Sequence, residues 1–274
     1  MTGFSIDWLN LREPADLRAR AGSVLDEVRE FLLNGTSQQP TLIVDLGCGT
    51  GSTLRALEKH WAGTAMPLRW CLIDNDPELL AEAERRCAGE HEINTLEQDL
   101  GQVQNLPVND ASLVTASALF DLVSADFVER LVEVLVSQKS QGSIGVYAAL
   151  NYDGTTQWTP AHPLDDVVLA AFNRDQQRDK GFGPALGPAA HRFMERTFSR
   201  NGFIVTSAPS PWNLAAPDAE MQAELIRGMV DAVKGDASLT DEGLKQWSEF
   251  RNENLLTGNC CIGHQDIFAR LPGN

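Results

Sequence analysis

Thr41-Leu42-Ile43-Val44-Asp45-Leu46-Gly47-Cys48-Gly49-Thr50-Gly51-Ser52 is the stretch on which the reading of this chain turns. Six residues, mostly apolar, run into three glycines spaced two apart, and a helix-forming segment follows from Ser52. A short continuous apolar run of this length suits a strand buried on both faces of a parallel sheet. Glycines at its carboxyl end allow positive φ and let a ligand reach the backbone without a Cβ in the way. In an open parallel sheet that end of the strands is where ligands bind.

Outward from this segment the alternation continues. Helix is expected over Ser52–Trp61, strand over Leu68–Asp74, and helix over Pro77–Cys87 with Asp76 as its N-cap. Shorter strands are expected at Ile93–Glu97 and Ala111–Ser117, a helix at Asp126–Ser137 and a fifth strand at Ser143–Leu150. Strand–helix alternation predicts right-handed crossovers and a sheet covered on both faces. Upstream, Leu17, Val24, Leu25, Val28 and Leu32 mark one helix over Ala15–Leu33, and Gly35–Pro40 reads as a loop. Beyond Leu150 the texture changes. Asn151–Pro188 reads as an insertion, part loop and part helix. Then come helix Ala190–Ser199, strand Phe203–Ser207, loop Pro209–Pro217, helices Asp218–Lys234 and Asp241–Asn254, and a last strand at Cys260–Leu271.

Composition narrows the partners. The chain has 274 residues, 22 Lys+Arg against 38 Asp+Glu, and a formal net charge of -16. Such a surface repels nucleic acid and anionic membranes unless a basic patch intervenes, and none stands out. The charged N-terminus lacks the apolar run of a secretory signal, and no stretch approaches the ~20 apolar residues of a membrane span. Five cysteines, without CxxC or Cys/His spacing, point to no metal and to a reduced, cytoplasmic setting.

Glycine spacing separates two nucleotide-binding patterns. A dinucleotide fingerprint, GxGxxG, would need a glycine where Ser52 stands. Here the pattern is Asp45-x-Gly47-x-Gly49-x-Gly51, which resembles the first motif of class I S-adenosylmethionine-dependent methyltransferases. Leu72-Ile73-Asp74-Asn75-Asp76-Pro77 resembles the family's second motif, Glu97-Gln98-Asp99-Leu100 its third, and Ser112–Ser124 its fourth. The resemblance covers residues 41–150, and the late strands are similar to the family's closing antiparallel pair.

The resemblance implies a doubly wound, mostly parallel α/β sheet of seven strands, Rossmann-like, with insertions forming a cap. It implies one domain over 1–274, with a core at 40–150, 190–208 and 258–271 and cap elements at 1–35, 151–189 and 209–257. It implies S-adenosyl-L-methionine as cofactor, held by Asp45, Gly47, Cys48, Gly49, Gly51, Asp74, Asn75, Asp99, Leu100 and Ser117. In that family the glycine loop meets the methionyl and ribose parts, the first acid helps hold the aminoacyl end, and the third-motif acid meets the adenine amino group. Asp74 also suits a ribose on its own chemistry, since an ionised carboxylate accepts from both hydroxyls of a diol.

The acceptor pocket is expected from parts not common to the fold. Tyr152, Trp158, Asn173 and Phe182 are its candidate lining. His162 is a candidate general base, because an unperturbed imidazole titrates near neutrality, and otherwise a loop histidine close to Pro160 and Pro163. Asp121, after the fourth strand, either borders the reacting group or caps a helix. Arg18 or Arg20 could pair with the cofactor carboxylate, or sit on a solvated helix face. Trp8 and Trp212 could cap the pocket or simply pack, and Cys48 reads as a space-filler. Methyl transfer to a small molecule, by a monomer or homodimer, is the leading expectation. Non-catalytic binding of the cofactor, transfer of another group from it, and an NAD-dependent oxidoreductase are the alternatives.

Overall fold

A computed structural model of the chain describes residues 4–35, 40–64, 66–87, 89, 91–137 and 143–272. Part of the expected loop at Gly35–Pro40 lies outside the described residues. Among the described residues the core is one sheet of eight strands: β1 (Thr41–Leu46), β2 (Leu68–Asp74), β3 (Glu92–Glu97), β4 (Leu113–Ser117), β5 (Ile144–Thr159), β6 (Ile204–Pro209), β7 (Trp212–Leu214) and β8 (Asn259–Leu271). The order across it is β3-β2-β1-β4-β5-β8-β6, and β7 pairs with β8. Strands β1 to β5 run parallel, while β8 is antiparallel to β5, β6 and β7. Strand order reverses between β1 and β4, and that is the switch point at which such sheets bind ligands.

Helices cover both faces, which makes the protein a doubly wound α/β fold: α1 (Ile6–Ala19), α2 (Gly22–Asn34), α3 (Ser52–His60), α4 (Pro77–Cys87), α5 (Ala125–Ser137), α6 (Asp165–Gln176), α7 (Ala190–Arg200), α8 (Ala219–Val233) and α9 (Asp241–Glu253). The period of two along each strand decides which face a residue serves. Val44, Leu46, Val114, Ala116 and Val146 pack against Phe127, Val128 and Leu131 of α5 and Met194 and Phe198 of α7. Ile43, Trp70, Leu72 and Tyr147 point the other way, onto Val24, Leu25 and Val28 of α2 and Leu54 and Leu57 of α3. At about 1.5–3 kcal/mol per fully buried large apolar side chain, these two layers supply most of the driving force for folding.

Three expectations need correction. First, residues 151–159 are strand, not loop: β5 continues past Leu150 to Thr159, and its ladder to β8 reaches Thr159 opposite Asn259 through two register shifts. That segment is polar and contains Gly154, so cross-strand hydrogen bonds hold it without a hydrophobic pattern to announce it. Second, the sheet has eight strands and not seven, because Trp212–Leu214 lies inside the expected loop Pro209–Pro217 and pairs with Cys260–Ile262. Three residues are too few for an alternation to register. Third, the expected single helix Ala15–Leu33 is two helices. It breaks at Arg20, whose ψ of 134° is extended, and the amide of Ala21 goes to the Asp266 carboxylate at 3.0 Å. Asp266 lies in β8 and is fully buried, and it also accepts from Tyr147 Oη and the Leu150 amide. This distant carboxylate takes a donor that a continuous helix would have used internally.

A helical layer of α6, α8 and α9 stands beyond the long β5–β8 arm, packed through Val168, Ala171, Ile226, Met229, Leu244 and Trp247. Arg251 of α9 fastens it. The guanidinium is almost fully buried, forks onto both oxygens of Asp165 at 2.5 and 2.7 Å, and donates to the Pro160 carbonyl at 2.7 Å. It also lies 5.1 Å from the Trp158 ring.

Candidate active site

The carboxyl ends of β1, β2, β3 and β4, with α1 laid across them, enclose a cavity of about 560 Å³. The glycine loop forms its base. Gly47, Gly49 and Gly51 have φ of 64°, 53° and 80°, a conformation for which a Cβ is costly. Gly47 and Gly49 line the cavity, and Gly51 does not. A Cβ on Gly51 would stand 2.6 Å from Cys87 Sγ, so this glycine is required for packing α3 against α4.

Asp74, at the end of β2, accepts the Gly49 amide at 2.9 Å through one oxygen and the Asp76 amide at 3.1 Å through the other. It therefore ties the glycine loop to the turn before α4, and each oxygen keeps a lone pair for a ligand. Burial pushes its carboxyl above the usual range, against the pull of the Gly49 and Asp76 amides. Asp76 caps α4 as expected, accepting the Glu78 amide at 2.9 Å. Asp99 and Leu100 close the far end beside Asn75 and Leu79. Asp99 accepts the Gly101 amide, which fixes its side chain at 2.9 Å.

Asp45 is placed differently from the cofactor-facing residues. It is buried beneath the loop, accepts from Thr115 Oγ1 at 2.7 Å, and does not line the cavity. Burial raises its carboxyl to about 7. Cys48 does line the cavity. Burial pushes its thiol far up, which suits a space-filler and not a nucleophile.

Opposite the glycine loop the wall is α1, the turn after β4, and Phe182. Ser117 reaches the cavity and accepts from Arg20 Nη2 at 3.2 Å. Next to it Ala118 has φ of 50°, unusual for a residue with a side chain. Its amide donates to the Ala149 carbonyl at 2.9 Å, holding the turn to β5. Phe182 sits between Gly181 and Gly183, both of positive φ, with both glycine amides donating to Asp179 Oδ1. This tight turn presents the ring edge-on to Phe127, with centroids 5.5 Å apart.

The other acceptor-pocket candidates lie elsewhere. Tyr152, Trp158 and Asn173 do not line the cavity. Tyr152 Oη donates to Asn173 Oδ1 at 2.8 Å, and Asn173 donates onward to the Gly154 carbonyl, a clamp between β5 and α6. Trp158 stacks edge-on with Trp247 in the helical layer. His162 is also remote. Its Nδ1 accepts the Leu164 amide and its ring packs on Phe250. Asp121 stands beside the lining residue Leu122 but does not itself face the cavity. It is buried, Oδ1 has no hydrogen-bond partner among the described residues, and burial lifts its carboxyl to about 6.

Arg18 pairs outward with Asp218. Arg20 donates to Tyr147 and Ser117 and does not line the cavity. Trp8 packs with the cluster around Trp212, and Trp212 donates to Asp16. Four cavity residues had no sequence signal. Phe4, Leu9, Arg12 and Asp16 come from α1 and the residue leading into it, and only the docking of that helix over the loop brings them in. The one available hint was Arg12 and Asp16 four residues apart, which puts them on the same helix face.

The residues present fit an S-adenosyl nucleoside. Leu79, Leu100 and Leu119 offer apolar surface, Asp74 and Asp99 offer carboxylate acceptors, and the two loop glycines leave the backbone open. Among the described residues no group of three or more His, Cys, Asp or Glu could hold a metal ion, and no helix is long and apolar enough to cross a membrane.

Comparison with known proteins agrees with the glycine loop. Residues 43–139 match the family model described as a methyltransferase domain. A comparison with curated proteins finds no significant match. Among solved structures, the chain is similar to a cyclopropane synthase from Mycobacterium tuberculosis, with TM-score 0.49 and 14% identity over 97% of this chain and 94% of that one. It is also similar to a putative methyltransferase from Bacillus halodurans, with TM-score 0.49 and 11% identity over 89% and 97%. A geranyl diphosphate C-methyltransferase from Streptomyces coelicolor gives TM-score 0.42 and 12% identity over 91% and 80%. Residues 43–139, which carry the Asp45-x-Gly47-x-Gly49-x-Gly51 loop, are thus similar to a methyltransferase domain.

Proposed function

We propose that this enzyme transfers the methyl group to a small-molecule acceptor, which enters between α1, the turn after β4 and Phe182. The cavity supports this reading. About 560 Å³ lies within the range of small-ligand sites, and it must hold cofactor and acceptor together. Helix α1 covers it, which suits a compact acceptor better than a polymer. The net charge of -16 disfavours nucleic acid.

When bound, S-adenosylmethionine supplies a methyl group already activated on a positively charged sulfur. The chain's own task is alignment and exclusion of water. Asp74 and Asp99 orient the nucleoside, the glycine loop lets it lie against the backbone, and Leu119, Leu122 and Phe182 make the opposite wall apolar. Proximity and orientation of this kind can supply roughly 7–11 kcal/mol of a barrier. Asp121 adjoins that wall through its chain neighbour Leu122, and burial lifts its carboxyl to about 6, so it is the residue to test if the acceptor has to lose a proton.

The test is turnover. Incubation with S-adenosylmethionine and pooled small metabolites should release S-adenosylhomocysteine. Cofactor binding with no release from any pool, alongside release with a protein or nucleic-acid acceptor, would refute the small-molecule reading.

A further inference from the structure

The cofactor's amino-acid tail carries a carboxylate and an ammonium, and the chain needs groups to receive both. In the family that the sequence resembles, the first-motif acid helps hold this end. Here that acid, Asp45, is buried beneath the loop and bonded to Thr115. Arg18 pairs with Asp218 and Arg20 with Tyr147 and Ser117, and neither lines the cavity. Among the described residues, Arg12 is the only Lys or Arg that lines the cavity.

Arg12 is 8% exposed, and Asp16 is 4% exposed. Arg12 Nε donates to Asp16 Oδ2 at 2.8 Å. The guanidinium carbon lies 5.1 Å from the Trp212 ring, and Trp212 Nε1 donates to Asp16 Oδ1 at 2.9 Å. These contacts fix both side chains and leave capacity. Arg12 has five donors, one of which is engaged by a described residue. Each oxygen of Asp16 has accepted one bond and can accept another. The result is a preorganised cation and anion side by side on a cavity wall.

The helix that carries the pair is itself pinned. Glu13 faces away from the cavity and takes Arg55 of α3 at 2.7 and 2.8 Å and Arg86 of α4 at 2.7 Å. Leu9, one turn before Glu13, stands over Gly49, where an added Cβ would be 3.1 Å from Leu9 Cδ1. Helix α1 is thus fastened across the glycine loop, and its Arg12–Asp16 face is presented to whatever lies on that loop.

We infer that Arg12 and Asp16 form a clamp for the zwitterionic end of the cofactor, Arg12 receiving the carboxylate and Asp16 the ammonium. This rests on the S-adenosylmethionine reading of the same cavity. The clamp explains why the pair is buried and yet incompletely satisfied. It also makes α1 part of the cofactor site and not only a cover for the acceptor. The clamp reads the tail and not the methyl group, so it grips substrate and product alike.

Isothermal titration of the full chain tests it with two ligands. S-adenosylhomocysteine has the amino-acid tail, and 5′-methylthioadenosine lacks it. Arg12→Gln should weaken S-adenosylhomocysteine about tenfold to a hundredfold, the worth of a charge-assisted bond. It should leave 5′-methylthioadenosine within about twofold. Asp16→Asn keeps an acceptor for Trp212 and should weaken the same ligand by a smaller factor. If Arg12→Gln fails to fold, Arg12→Lys, which keeps the charge but not the fork, should show the same selective loss in milder form. Equal weakening of both ligands, or unchanged affinity for S-adenosylhomocysteine, would overturn the clamp. Failure of the wild-type chain to bind either ligand would instead overturn the cofactor reading beneath it.

Discussion

Asp74 holds the glycine loop and faces the cavity at once, so replacing it should separate stability from binding. Consider Asp74→Asn. In the wild-type chain burial disfavours the charged carboxylate, even with the Gly49 and Asp76 amides directed at it. A folded-state carboxyl raised above its unfolded value detracts from stability as pH rises past the unfolded value. Asn carries no charge to bury, and its oxygen can still accept one of the two amides. The apoprotein should therefore hold its stability within about 1 kcal/mol at pH 7, or gain. Ligand binding should move the other way. Two bonds from a ribose diol to an ionised carboxylate are worth about 1.5–3 kcal/mol each, and Asn keeps part of one. A net loss of about 2.7 kcal/mol is roughly a hundredfold in Kd. At a ligand concentration of 100 times the wild-type Kd, stabilisation is about 2.7 kcal/mol, and a hundredfold weaker variant keeps about 0.4 kcal/mol. At about 2–4 °C per kcal/mol, a wild-type shift of roughly 5–11 °C would shrink to about 1–2 °C. Thermal denaturation with and without S-adenosylhomocysteine reads both quantities. A variant whose apoprotein falls by more than about 2 kcal/mol, or whose ligand-induced shift equals the wild type's, would refute the assignment of Asp74.

Three further outcomes follow from the same geometry. Gly51→Ala combines a φ of 80° with a Cβ 2.6 Å from Cys87 Sγ, so urea denaturation should show a loss of about 2–4 kcal/mol. Adding Cys87→Ala should recover the steric part and not the backbone part, and full recovery would mean the φ is unstrained. Asp45 rises from an ordinary 3.8 to about 7, so the fold binds its proton more tightly than the unfolded chain does. Stability should then decline from about pH 4 to 7 on this account and level off above. Asp45→Asn should match the wild type near pH 4 and exceed it at pH 8, and an advantage confined to low pH would contradict the sign. Arg251→Ala strips the buried partner from Asp165 and should cost about 3–5 kcal/mol. Hydrogen exchange in α6 and α9 should rise while β1 and β4 stay protected, and uniform exchange would show that this layer is not separately fastened.

Much of this site could be read along the chain because its parts are local. The loop between Gly47 and Gly51, Asp74 and Asp99 each follow a strand whose own apolar run marks where it ends. The residues opposite them could not be read this way. His162 carries the right chemistry for a base, yet its imidazole is turned to the Leu164 amide and Phe250, a placement set by how residues 160–165 pack on α9. Tyr152 and Asn173 look like pocket polar groups, but they satisfy each other between β5 and α6.

By itself the sequence determined the order of strands and helices from residue 41 to 150, the burial of β1 on both faces, and the nature of the nucleotide loop. Each of these depends on periodicity or backbone freedom within a few consecutive residues. Tertiary structure alone decided that α1 breaks at Arg20, that β5 runs on to Thr159, and that Arg12 and Asp16 rather than Arg18 or Arg20 reach the cavity. Those outcomes turn on partners 100 or more residues distant, such as Asp266 for the Ala21 amide, Asn259 for the strand end and Trp212 for Asp16. The physical reason is that a hydrogen bond or ion pair between distant segments leaves no period in the chain, and it exists only once the sheet has brought its two ends together.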